Sequence, residues 1–290
     1  MNNKRFISKW LLLVLCVCGS LAVYATDDSA TPKNKWLNDY PKHVGFSWSV
    51  NATLTSNYLW RGLYCGGPSL QADATVGYGG FFANMWWNVG ATDWTFTAFN
   101  PELDLSIGFS RWGLSVYYIH CFYFDKYQDG TPSKLFDFKN YPRGGGGATG
   151  EWRVAYRVSD RLPLSCLIGV RTFSRDGYMV DGELKRAYST YIELGYDFAL
   201  GENWQLDARV GMTPAKSLYT GFEGDFAVTL VGLKLHKTWE AKGERLKASV
   251  KGFAHVMLQP WQVTKDNLIR PIAEAGDQKL NLAVGCTVSI

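Results

Sequence analysis

The chain has 290 residues, of which 47 % are hydrophobic and 15 % aromatic, with 12 Trp and 30 Gly. Its mean hydropathy is nevertheless slightly negative, so the apolar residues are dispersed rather than blocked, and past the N-terminus no run of ~18 apolar residues could form a spanning helix. Thirty basic residues stand against 26 acids, a balance that gives no reason to expect a nucleic-acid partner.

Residues 1–25 read as a secretory signal peptide. Lys4, Arg5 and Lys9 form a basic start, Trp10 to Val23 an apolar stretch, and Val23-Tyr24-Ala25 a small-x-small cleavage site. A membrane anchor is the other reading, but the apolar run is short for a span. A lipoprotein site at Cys16 or Cys18 is disfavoured by the bulky Leu15 and Val17 before them. The signal carries three of the 30 basic residues and no acid, so the remainder is close to neutral. Residues 26–43 show no periodicity and read as a polar periplasmic leader.

From residue 44 onward apolar and polar residues alternate, as they do on a strand with one greasy face. The first segment, 44–61, places Val44, Phe46, Trp48, Val50, Ala52, Leu54, Tyr58 and Trp60 on one parity. The other parity carries Ser47, Asn51, Thr53, Asn57 and Arg61. Such a length suits a strand that crosses a bilayer and projects beyond it. Further segments follow at 69–78, 81–92, 99–110, 112–124, 148–159, 163–173, 187–199, 203–213, 225–238, 245–258 and 278–290. A change of phase near Val231-Gly232 predicts a bulge.

The links alternate in length. Gly79-Gly80, Arg111, 159–162, Gly201-Glu202 and 240–244 are short. The links between them are longer, except for the first, Tyr64 to Pro68. Transmembrane barrels have an even strand number, short periplasmic turns and longer external loops. Aromatics fall into two predicted belts, one at the short turns (Phe46, Tyr78, Phe81, Phe109, Trp112, Tyr196, Trp204). The other lies at the outer rim (Tyr58, Trp60, Phe99, Phe122, Phe124, Trp152, Tyr188). The expected fold is an all-β antiparallel transmembrane barrel of about 12 strands over 44–290, with both termini periplasmic.

Thr55-Ser56-Asn57-Tyr58-Leu59-Trp60-Arg61-Gly62, followed by Gly67-Pro68-Ser69-Leu70-Gln71, resembles the opening stretch of one bacterial family. Its members are uncharacterised outer-membrane proteins labelled conserved hypothetical secreted proteins. The resemblance implies a barrel in a Gram-negative outer membrane and no particular substrate.

The polar parity defines a candidate lumen. Arg61, Asp73, Glu151, Arg153, Arg157, Arg171, Glu193, Asp197, Asp207 and Arg209 are its candidate solute-pathway residues. Arg61 reads either as a lumen cation or as a structural rim arginine. Turn positions predict cross-strand pairs of Glu151 with Arg171 and of Glu193 with Arg209. Cys166 and Cys286 fall on the apolar face, and a Cys65–Cys121 disulfide is left open. No Cys or His spacing suggests zinc, and no cofactor is expected. Arg143 to Gly147 lacks the Lys-Ser/Thr of a phosphate loop and reads as an external loop. His120 has no nucleophile among its expected neighbours. His255 is expected near Asp225, Thr229 and Asn281, a set with a poor nucleophile.

Three functions follow. The first is a narrow passive channel for small polar solutes. The second is a closed structural or surface-interaction barrel, its lumen plugged by charge pairs. The third, a lipid-modifying enzyme, would rest on the His255 region. The expected partners are outer-membrane lipid, the barrel-assembly machinery and small polar solutes.

Overall fold

A computed structural model describes residues 45–124, 130–136, 147–174, 176–181, 183–222, 225–242, 247–260 and 280–290. The signal peptide and leader predicted for 1–43 lie outside the described residues, as does most of the 143–147 glycine run. Twelve antiparallel strands close into one barrel. They are β1 (Phe46–Thr55), β4 (Ser69–Tyr78), β5 (Phe81–Ala91), β6 (Phe99–Arg111), β7 (Leu114–Tyr123) and β8 (Ala148–Arg157). The circuit continues with β9 (Leu164–Ser174), β12 (Thr190–Ala199), β13 (Trp204–Thr213), β14 (Ala227–Lys242), β15 (Lys247–Leu258) and β16 (Leu280–Ser289). Two small hairpins stand apart from this wall: β2 (Tyr58–Trp60) with β3 (Leu63–Gly66), and β10 (Gly177–Val180) with β11 (Glu183–Arg186).

Closure comes from β1, which pairs with β4 on one side and β16 on the other. Alternation then sorts the side chains. Phe46, Trp48, Leu54, Trp87, Ile107, Trp152, Leu194 and Val284 stand exposed on the outer surface. Ser, Thr, Asn and charged residues of the opposite parity point inward. Gly79-Gly80 and Trp112-Gly113 have positive φ at both positions, the two-residue turn that matches strand twist. We call their side the turn end and the opposite side, where the long connections lie, the loop end.

The predicted first strand is corrected. The wall strand stops at Thr55, and the chain leaves the wall at Ser56-Asn57. Ser56 closes the ladder with Val284 through two hydrogen bonds, and the Asn57 amide donates to the Leu282 carbonyl. Beyond this anchor the chain folds inward as the β2–β3 hairpin. Tyr58 and Trp60 therefore leave the predicted outer aromatic belt and lie inside. The first link is the whole of 56–68, so the alternation of short and long links has no exception.

Two register expectations also change. Glu151 faces Arg171 as predicted, but Glu193 faces Gly211, and Arg209 faces Gly195. The 200–203 turn is closed by Leu200 N–H donating to Trp204 O, which moves the pairing by two residues. The β13–β14 irregularity falls at Gly211/Met212, which leaves Thr229 as the extra residue of β14, slightly earlier than the phase change implied. The four described cysteines are free, so Cys65 and Cys121 are not bridged.

Candidate functional site: a hairpin seated in the lumen

The hairpin turns at Arg61-Gly62, with φ of 48° and 89°. This is again the two-residue turn that wants glycine in its second place. Gly62 is pressed on the far wall, where a Cβ would sit 1.9 Å from the Thr229 carbonyl oxygen. No side chain fits there, so the glycine lets the tip cross the barrel.

Arg61 is the tip's anchor. Its Nη2 donates to Glu151 Oε1 at 2.6 Å, and its Nη1 to Glu151 Oε2 at 2.9 Å. Nη1 also donates to the Tyr219 hydroxyl at 2.5 Å. The guanidinium lies 4.8 Å from the Trp60 ring centroid and 4.3 Å from that of Tyr191, a cation–π clamp. A bidentate guanidinium–carboxylate pair fixes direction as well as distance. Gly169 makes the space: a Cβ there would lie 2.3 Å from Glu151 Oε1.

Glu151 serves three arginines. Arg153 Nε donates to Oε1 at 2.5 Å, and Arg171 Nε lies 3.9 Å from Oε2 while its Nη1 donates to Thr149. Buried charges persist only when paired and hydrogen-bonded. Tyr58 at the hairpin base donates to Glu102 Oε2 at 3.0 Å and packs against Trp86. Around this polar knot lies an apolar one of Leu63, Ala155, Leu167, Tyr191, Leu218 and Tyr219, with Trp60 and Cys65 against it. Leu218–Thr220 form a short 3₁₀ turn in the β13–β14 connection. Connections supply Leu63, Leu218 and Tyr219 to this cluster, and wall strands supply Ala155, Leu167 and Tyr191.

A ring of buried residues, here called the seal, runs around the circuit. Every wall strand contributes an inward residue that is buried at the loop end. In circuit order these are Thr55, Ser69, Asn88, Glu102, Cys121, Glu151, Arg171, Tyr191, Thr213, Leu230, Met257 and Asn281. Toward the turn end the interior loosens. Thr53, Gln71, Asp73, Asp207, Arg209, Lys234, Lys251, His255 and Thr287 are only half-buried and line a cup. Across from them, Phe82 and Tyr117 pack edge-on and thicken the wall.

The ten candidate residues therefore divide. Arg61, Glu151, Arg153 and Arg171 meet in the seal. Arg157, Asp197 and Arg209 meet in the cup, where Asp197 accepts from Arg157 and, at 2.6 Å, from Arg209 Nη2. Glu193 accepts from the Tyr191 hydroxyl and lies 3.8 Å from Arg209 Nε. Asp207 faces Asp197 across the β12–β13 ladder and accepts from Gln205. Asp73 stands on the far side and accepts from the Asn51 amide at 2.9 Å.

Two groups escaped the sequence reading. Tyr191 and Tyr219 hold Arg61, and neither spacing nor parity singles them out. Glu102, Asp104 and Cys121 bring one possible metal-ligand atom each within 4.8 Å of one another. The histidine neighbourhoods differ from expectation. His255 pairs with Lys234 and Ala283 rather than with Asp225, Thr229 and Asn281, because the β14–β15 ladder runs on to Lys242 opposite Lys247 and that register carries His255 to Lys234. His120 faces Gly150 on one side and Leu105, rather than the expected Phe99 and Pro101, on the other, and it contacts the Leu135 carbonyl.

No protein-family model matches the chain, and no curated protein matches it in sequence. Among solved structures it is similar to a NanC porin, at 9 % identity and a TM-score of 0.42, over 84 % of this chain and 99 % of that one. It is also similar to a bacterial polysaccharide outer membrane secretin, at 8 % identity and 0.35, over 86 % and 98 %. A Pseudomonas aeruginosa FadL homologue matches at 9 % and 0.33, over 84 % and 88 %.

Proposed function

We propose that this protein is an outer-membrane β-barrel that is closed at rest by its own first connection. The membrane part of this reading rests on the outer wall. Its exposed side chains are aliphatic and aromatic, with Phe46, Tyr78, Phe81, Trp112 and Trp204 gathered at the turn end, where Lys237 lays its ammonium over Trp204 and Trp239. That is how an amphipathic cation reaches the interface beside an aromatic girdle. Lipid demands that backbone groups be paired internally, and a closed ladder meets the demand. On this reading the turn end is periplasmic, and the assembly machinery of the outer membrane is the partner that inserts the chain.

One observation carries the closed state: the Arg61 tip, seated across the lumen on Glu151 with a buried residue from every wall strand around it. Of the readings open from sequence, the plugged barrel is favoured over a standing channel. Passage of small polar solutes belongs to a state with the 58–66 hairpin withdrawn. Liposome swelling tests this with neutral sugars and amino acids as probes. Wild-type protein should give little more swelling than empty liposomes, and a variant with 58–66 replaced by a Gly-Ser linker should swell readily. Equal, rapid swelling by both would remove the plug from the account.

A further inference from the structure

The cup has an uneven lining. On β14 and β15 the inward pairs are Lys234 with His255, His236 with Phe253, and Thr238 with Lys251. The acids that share the cup are engaged. Asp197 takes Arg157 and Arg209, Asp207 takes Gln205 and lies 3.6 Å from His236 Nδ1, and Asp73 takes Asn51. Lys251 is placed differently. Its cross-strand neighbours are Thr238 and Thr287, both hydroxyls, and no carboxylate stands opposite it.

The register continues this row across the closing seam of the barrel. Lys251 lies opposite Thr287, Thr287 opposite Thr53, and Thr53 opposite Gln71. All four point inward, and the two threonine hydroxyls are 2.8 Å apart. One ammonium is therefore followed by two hydroxyls and a carboxamide along a single line. Strands are spaced by about 4.8 Å, so the line runs roughly 14 Å across the wall. All four side chains are half-buried, which leaves them open to the cup's water. A cation on a low-dielectric wall attracts anions more strongly than one on an open surface.

We infer that the cup binds a small hydroxylated carboxylate along this row. The carboxylate would sit at Lys251, and its hydroxyls would exchange hydrogen bonds with Thr287, Thr53 and Gln71. A chain of about six carbons fits within the row. The inference rests on the plugged reading in one respect, that the cup is a chamber with one mouth.

Calorimetric titration of the full-length folded protein in detergent, at low ionic strength, tests it with gluconate, glucose and acetate as probes. Gluconate should bind saturably, and glucose and acetate each about tenfold more weakly or worse, a difference of ~1.4 kcal/mol. Lys251→Gln should lose at least tenfold in gluconate affinity, and Lys251→Arg should retain most of it, both with the heat-modifiable gel mobility of a folded barrel. Gluconate binding no better than glucose or acetate would overturn the inference. So would unchanged binding by Lys251→Gln. The titration needs no conductance, so the two readings can fail separately. An open pore that still holds gluconate removes only the plug, and a closed barrel that ignores gluconate removes only the ligand.

Discussion

Arg61 reaches Glu151 from a hairpin tip, not from a neighbouring strand, and the two side chains share two hydrogen bonds of 2.6 and 2.9 Å. The first connection of the barrel is thereby tied to the eighth strand in sequence order. The partners are unequal. Glu151 is the shared acid of three arginines, whereas Arg61 is one of three cations on it. Removing the acid leaves buried guanidiniums uncompensated, which costs on the order of 3–5 kcal/mol. Removing Arg61 leaves Glu151 with Arg153 and Arg171. Glu151→Ala should therefore lower the temperature at which the folded gel band converts to the unfolded one by more than Arg61→Ala does. The reverse order would mean that Glu151 is not the hub.

Gly62 supplies an independent handle on the hairpin. Its left-handed φ and its approach to the Thr229 carbonyl both exclude a side chain. Gly62→Val should keep the hairpin from seating while the wall still closes. Cys65 then loses its apolar neighbours and should react faster with a maleimide, in a background where Cys121, Cys166 and Cys286 are alanine. Unchanged labelling beside wild-type folding would show that the tip does not need to reach Thr229.

The two faces of β1 should respond in opposite ways. Leu54 is 50 % exposed on the outer wall, and Thr53 points into the cup beside Thr287. An arginine in lipid near the midplane costs ~2–4 kcal/mol, less toward the interface. Leu54→Arg should impair assembly, and Thr53→Arg should be tolerated, judged by the yield of heat-modifiable barrel. Equal yields would mean that the outer wall does not face lipid.

Much of the wall was legible in the sequence because the period of two is a local signal. All twelve wall strands fall within the predicted segments to within a few residues, and the Glu151–Arg171 register followed from a turn position alone. The hairpin was not legible as a hairpin. Tyr58 and Trp60 continue the parity of Leu54, so alternation ran through the break at Ser56-Asn57 without a mark. The signals were still there. Arg61-Gly62 is a two-residue turn between Tyr58–Trp60 and Leu63–Gly66, and the first link was the one that broke the sorting of loop lengths. The Glu193–Arg209 register failed because the length of the 200–203 turn is set by hydrogen bonding, which composition does not reveal. The roles of Tyr191 and Tyr219 depend on contacts between distant parts of the chain, and no local pattern carries them.

Single-channel recording in planar bilayers tests the closed lumen most directly, with wild type and Arg61→Ala compared in the same salt. Wild type should show a flat baseline broken by rare openings, and Arg61→Ala should show frequent or sustained openings, since the tip has lost its anchor. A steady ohmic conductance in wild type, unchanged in Arg61→Ala, would contradict the account.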